Sequence, residues 1–222
     1  MSLLRKDHAK IMGELRTARL TEEYIRQRLI DNYSEGHIDE KKSTDKYYDS
    51  SAEDDFKCAA VLIPLIQHES NWCLVYTRRT DQVENHKGQV SFPGGACDLN
   101  EIQAEDTALR EAWEEIGIKR EEVKILGKLA DVETITNFRV TPVVGIIPWP
   151  YHFKLSQQEV SRVFKIPLDW LIQSSNWVEQ KFIKKDIEKE YSLVTYLPYD
   201  GEILWGASAR ITHNFLKALD LI

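Results

Sequence analysis

Four residues set the chemistry open to this chain: Arg110, Glu111, Glu114 and Glu115, in the run REAWEE. On a helix that turns about 100° per residue, the three glutamates fall within about 100° of one another. Leu109, Ala112, Trp113 and Ile116 fall on the other side, which predicts one carboxylate face and one core face. Carboxylates spaced i, i+3 and i+4 reach a shared cation, and hard divalent ions such as Mg²⁺ and Mn²⁺ prefer oxygen ligands. Three like charges in one turn also repel, a cost that a bound cation removes. An acidic helix face is most often simply solvated. The flanks argue against that here: Gly94 and Gly95 permit a tight turn ahead of the helix, from which the Gly95 carbonyl can face a metal, and Gly117 is placed to cap its C-terminus.

The rest of the chain must supply a scaffold for that helix. Apolar, β-rich runs occur at Cys58–Ile66, Trp72–Arg78, Val123–Leu129, Arg139–Ile147, Trp177–Ile183 and Tyr191–Tyr196. Val160–Ile172 reads as partly helical with an interruption at Pro167. Ala207–Leu219 reads as a closing amphipathic helix, with Ile211, Phe215, Leu216 and Leu219 on its core side. Helical periodicity also runs from Leu3 to Ile30, with a break near Ala18 and a start signal at Thr21, Glu22 and Glu23. Ser34–Asp55 is polar and nearly free of aliphatic residues, as a connector would be. The expected organisation is therefore a helical N-terminal extension and polar connector over residues 1–55 and one catalytic domain over residues 56–222. Strands interleaved with a few helices predict an α/β fold whose mixed β-sheet is covered on both faces.

Composition narrows the function. The 222 residues carry 29 Lys plus Arg against 36 Asp plus Glu, a net charge of −7, which argues against general affinity for nucleic acid or an anionic membrane. No apolar run has the length of a membrane span and the N-terminus lacks the pattern of a signal peptide, so a cytoplasmic protein is expected. Cys58, Cys73 and Cys97 form neither a CxxC pair nor a zinc set and are expected as reduced thiols, Cys58 and Cys73 as buried packing.

The segment from Gly94 to Ile118 resembles the Nudix box, Gx5Ex7REUxEExGU, where U is a bulky apolar residue. Gly95, Glu101, Arg110, Glu111, Glu114, Glu115, Gly117 and Ile118 match by type; one extra residue lies between Glu101 and Arg110, and Ala112 stands at the first U. The resemblance implies an α/β/α sandwich and hydrolysis of a diphosphate with Mg²⁺ or Mn²⁺. Glu111 and Glu115 are then direct metal ligands, Glu114 is a third ligand or water-mediated contact, and the Gly95 carbonyl completes the shell. Arg110 orients the carboxylates. For the general base, Glu114 competes with Glu133, and His86 is a weaker candidate.

Upstream, LVYTRRTDQVENHKGQVSFPGG is similar to a signature of the coenzyme A diphosphatase branch of that family, LLTxR[SA]x3Rx3Gx3FPGG. Thr77, Arg79, Gly88 and Phe92-Pro93-Gly94-Gly95 match, while Tyr76, Thr80 and Glu84 depart, the last placing a negative charge where arginine is usual. The similarity extends through Ile135–Ile147 and covers about Cys58 to Leu219. It implies cleavage of coenzyme A or acyl-CoA to 3′,5′-ADP and 4′-phosphopantetheine or its acyl form. Arg78 and Arg79 are candidates for phosphate contacts. Adjacent strand residues point to opposite faces, so at most one serves, and Arg79 is favoured. Gln89 and Phe92 would line the neighbouring wall. Two alternatives stay open: a Nudix hydrolase of ADP-ribose, NADH or dinucleoside polyphosphates, and a catalytically silent Nudix-fold binding module. The expected partner is a small nucleoside diphosphate derivative, with homodimer formation left open.

Overall fold

Strand β1 (Lys57–His68) is apolar on both faces and buried from Leu62 to Ile66, the pattern of a strand with neighbours on both sides and layers above and below. In the computed structural model, which describes residue 17 and residues 20–36, 56–69, 71–81, 87–184 and 189–222, β1 is the centre of the main sheet. The expectations for residues 1–16, for the break near Ala18, for the connector over residues 37–55, and for Glu84 and His86 lie outside the described residues.

One side of β1 pairs antiparallel with β2 (Asn71–Arg79) and with the short β4 (Gly94–Ala96); the other pairs parallel with β7 (Phe138–Ile146). β3 (Val90–Ser91) and β8 (Val160–Pro167) pair with β2, while β5 (Lys124–Lys128) and β6 (Val132–Glu133) pair with β7. The sheet is therefore mixed, as expected. A separate two-stranded ribbon joins β9 (Trp177–Lys184) to β10 (Lys189–Tyr196).

Alternation along β1 sends its side chains into two cores. Ala60, Leu62 and Ile66 meet Ala108, Leu109, Ala112 and Ile116 of helix α2 (Ala104–Ile116), beneath one face. Ile63 and Leu65 join Ile25 and Leu29 of α1 (Glu22–Gly36) and Phe215 and Leu216 of α3 (Gly206–Ala218), on the other face. This is the α/β/α sandwich. α1 starts where Thr21 Oγ1 accepts the Tyr24 N–H at 3.1 Å, and its Arg28 and Tyr24 side chains donate to the carbonyls of Ala218 and Leu219 at the end of α3. Each of these two helices therefore helps to hold the other.

Two sequence expectations are corrected. Val160–Pro167 is a strand, because Val160, Phe164 and Ile166 bury alternate positions against β2; only Leu168–Leu171, after Pro167, makes a helical turn. Cys58 and Cys97, expected as reduced thiols, are joined in a disulfide, because β1 and β4 bring together two residues 39 apart in sequence. Cys73 is a free, buried thiol.

Candidate active site

The double glycine performs two separate tasks where β4 pairs with β1. A Cβ on Gly94 would lie 2.4 Å from the Ala60 carbonyl oxygen and 2.6 Å from Val61 Cα, so the backbones approach too closely for any side chain. A Cβ on Gly95 would meet the Glu111 carboxylate instead. β4 is thereby pressed against the acidic face of α2.

α2 is set in place at both ends. Asp106 Oδ2 accepts the Gln103 N–H at 3.3 Å, and Gly117, at φ 72°, closes the C-terminus with its N–H directed at the Ala112 and Trp113 carbonyls. A loop over residues 97–103 leads into the helix. There Glu101 Oε2 accepts the N–H of Asp98 and the hydroxyl of Thr107, and Glu101 Oε1 accepts Arg110 Nε at 2.8 Å.

Arg110 is the hub of the acidic face. Besides Glu101 it donates from Nη1 to Glu111 at 2.7 Å and to Glu114 at 3.1 Å, and from Nη2 to the Ala96 carbonyl at 3.0 Å. One planar cation thus links helix, loop and β4. Glu114 is half exposed. Glu115 is only 3% exposed, a departure from the outward-facing carboxylate that the helical wheel predicts, and the Gly94 N–H lies against its carboxyl group. Trp113, placed by the wheel on the core side, is 52% exposed at the margin of the helix–sheet contact.

Burial pushes the Glu115 carboxyl up to about 8, with the neighbouring charges of Glu111 and Glu159 adding to the effect and Arg79 and the Gly94 N–H opposing it. Burial likewise raises Glu111, against the pull of Arg110. Oε2 of Glu115 and Nε of Arg79 are both buried without a hydrogen-bond partner. A buried carboxylate oxygen left unsatisfied is costly, and a cation would relieve it. All-oxygen donors, that orphaned atom and the space opened by Gly95 fit Mg²⁺ or Mn²⁺. Among the described residues no three acidic, His or Cys side chains already converge as a ligand shell; Arg110 holds Glu111 and Glu114 instead.

The other candidates separate. Arg79 faces the acidic cluster, and its N–H donates to the Gln89 carbonyl at 2.9 Å, so Gln89 lies across the strand from it. Arg78 is occupied elsewhere, with Asp81 Oδ1 at 3.1 Å, Ser161 Oγ at 3.0 Å and Glu202 Oε2 at 3.4 Å, which makes it a structural tie. Phe92 is 2% exposed and stacked on Tyr76 at 4.6 Å, a core residue beneath the loop rather than a wall of the pocket. Glu133 on β6 lies 3.6 Å from Arg139.

Sequence reasoning missed Glu159. The pairing of Arg79 with Val160, and the Thr80 N–H donating to the Glu159 carbonyl at 2.8 Å, place it beside Arg79, and its charge is felt at both Glu111 and Glu115. No local motif marks it, since strand pairing across about 80 residues brings it there.

This fold and site define a class, an α/β/α hydrolase with a carboxylate helix behind a double-glycine strand. The NUDIX domain family model matches residues 57–183, and the chain belongs to the Nudix family. It is 40% identical to a protein of Enterobacter sp. (strain 638) described as the uncharacterized Nudix hydrolase NudL, over 69% of this chain and 78% of that one. A Pectobacterium atrosepticum protein of the same description is 40% identical over 70% of this chain and 79% of its own. Among solved structures, a MutT/nudix family protein from Enterococcus faecalis is 14% identical with a TM-score of 0.48, covering 90% of this chain and 73% of that chain. Nudix hydrolases generally use divalent metal ions such as Mg²⁺ or Mn²⁺. No helix among the described residues is long and apolar enough to cross a membrane.

Proposed function

We propose that the chain hydrolyses the diphosphate of coenzyme A or an acyl-CoA, giving 3′,5′-ADP and 4′-phosphopantetheine or its acyl form. One observation carries this reading. The run from Thr77 to Gly95 that resembles the CoA signature delivers Arg79 to the acidic cluster at one end and Gly95 to Glu111 at the other.

Glu111 and Glu115, with Glu114 and the Gly95 carbonyl, would hold the Mg²⁺ or Mn²⁺. A bound divalent ion neutralises diphosphate charge and makes a coordinated water more acidic. Arg110 keeps the Glu111 and Glu114 carboxylates aimed at the β4 side of the helix through its anchor on the Ala96 carbonyl. Arg79 presents a guanidinium to a phosphate oxygen at the buried end of the site, where a charge-assisted contact is strongest. Glu159, exposed and near enough for its charge to act on both Glu111 and Glu115, is the carboxylate we assign to accept the proton of the attacking water.

Glu84, a carboxylate at a signature position usually held by arginine, favours a second reading: a Nudix hydrolase of ADP-ribose, NADH or a dinucleoside polyphosphate. The binding-module alternative is disfavoured by the intact set of Glu111, Glu114 and Glu115. A panel of CoA, acyl-CoAs, ADP-ribose, NADH and diadenosine polyphosphates, assayed with Mg²⁺ and with Mn²⁺, separates all three. The highest kcat/KM is expected for CoA or a CoA ester. Inert CoA beside a turned-over ADP-ribose or NADH moves the chain to the second reading, and no turnover of any member moves it to the third.

A further inference from the structure

The ladder between β1 and β4 pairs Ala59 with Ala96, Ala60 with Gly95 and Val61 with Gly94, so the next rung sets Cys58 opposite Cys97. Their Cα atoms are 5.5 Å apart, the Cys97 N–H donates to the Cys58 carbonyl at 3.1 Å, and the sulfurs are bonded. That separation is the spacing of a hydrogen-bonded antiparallel pair and also lies within disulfide reach, so strand pairing brings the two sulfurs to bonding distance.

Cys97 is also next to the groups that hold Arg110. Its predecessor Ala96 accepts Arg110 Nη2 at 3.0 Å, its successor Asp98 has Oδ2 at 3.4 Å from Arg110 Nε, and Gly95 stands two residues before it. The cross-link therefore ties the central strand to the segment that positions both the Gly95 carbonyl and the hub of the acidic face.

We propose that Cys58 and Cys97 are a reversible redox staple that, when closed, pre-organises the Gly95–Asp98 segment for metal binding, and when open lets that segment loosen. This rests on the metal-holding role assigned above to Glu111, Glu115 and Gly95. The chemistry is thiol–disulfide exchange with a low-molecular-mass disulfide such as glutathione disulfide. One cysteine sulfur attacks it, forming a mixed disulfide and expelling one glutathione thiolate; the second cysteine sulfur then displaces the other glutathione and forms the Cys58–Cys97 bond. The protein dithiol gives up two electrons to the glutathione disulfide, and its two protons pass through solvent to the two glutathione thiolates. Cys73 stays outside this exchange: it is 1% exposed in the core, and burial pushes its thiol up to about 11.

The test uses the full chain, equilibrated with glutathione disulfide or with tris(2-carboxyethyl)phosphine, each sample then being split. One half is unfolded, alkylated and weighed; the other is titrated with Mn²⁺ alone, without substrate, and followed by electron paramagnetic resonance. One labelled cysteine is expected in the oxidised protein and three in the reduced protein. Mn²⁺ affinity is expected to fall about fivefold on reduction, as a less pre-organised site binds more weakly. The Cys58→Ser/Cys97→Ser double variant should show the reduced affinity under both conditions. Three labelled cysteines after glutathione disulfide treatment overturn the staple, and so does equal Mn²⁺ affinity in both forms. Mn²⁺ binding to neither form instead removes the metal assignment, and the staple's role with it.

Discussion

Oε1 of Glu111 lies 2.5 Å from the point where a Cβ on Gly95 would stand, so this glycine reserves the space of a carboxylate. A methyl group there displaces the end of a flexible side chain, whereas one on Gly94 collides with the Ala60 and Val61 backbone. Gly95→Ala should therefore keep the fold and lose most metal affinity and turnover. Gly94→Ala should lower the thermal midpoint sharply. Melting curves and Mn²⁺ titrations on both variants check this; equal melting losses would show that the two glycines share one structural task.

Glu111→Gln and Glu115→Gln should each reduce kcat by at least about 100-fold, because an amide is a poor ligand for a hard cation. Their far-ultraviolet circular dichroism should match wild type. Turnover near wild type in both purified variants, at saturating Mg²⁺, would remove these residues from the metal site. Glu159→Gln tests the proposed base: kcat should fall by about 100-fold with Mn²⁺ affinity nearly unchanged.

The Glu115 carboxyl, raised from 4.5 to about 8, makes the metal-free protein pH-sensitive in a definite direction. Between those values the folded chain keeps a proton that the unfolded chain has lost, so stability present below about 4.5 is lost as pH rises toward 8 and then levels off. Glu111 acts in the same direction. In a chelator, the melting temperature of wild type should decline across that window more steeply than that of Glu115→Gln. Parallel declines would mean that Glu115 does not hold a proton when the protein is folded.

Arg79→Ala should lower kcat/KM on CoA and on 3′-dephospho-CoA by the same factor, about 10- to 100-fold, because a charge-assisted contact is worth about 1.5–3 kcal/mol and the proposed function sets Arg79 on the diphosphate that both substrates carry. A loss confined to CoA would place it on the 3′-phosphate. Arg78→Ala should act chiefly on stability, through the lost ties to Asp81 and Glu202.

The carboxylate helix, its glycine-led approach, its Gly117 cap and the closing helix were legible in the sequence, because each rests on local spacing: a 3.6-residue period, a turn residue, a capping position. The run of central strands was legible for the same reason, through apolar composition. Val160–Pro167 was not, because its polar and apolar residues fit a helix and a strand about equally until β2 takes the alternate side chains as partners. Tertiary structure alone decided the rest. Burial of Glu115 is set by the elements packed around its helix, the occupation of Arg78 needs its Asp81 and Glu202 partners, and the placing of Phe92 in the core needs Tyr76 stacked against it. Glu159 beside Arg79 and Cys97 opposite Cys58 are products of strand pairing. Sequence periodicity determines which way a side chain leaves its own helix or strand; which distant residue waits there is set by sheet register, which no local pattern encodes.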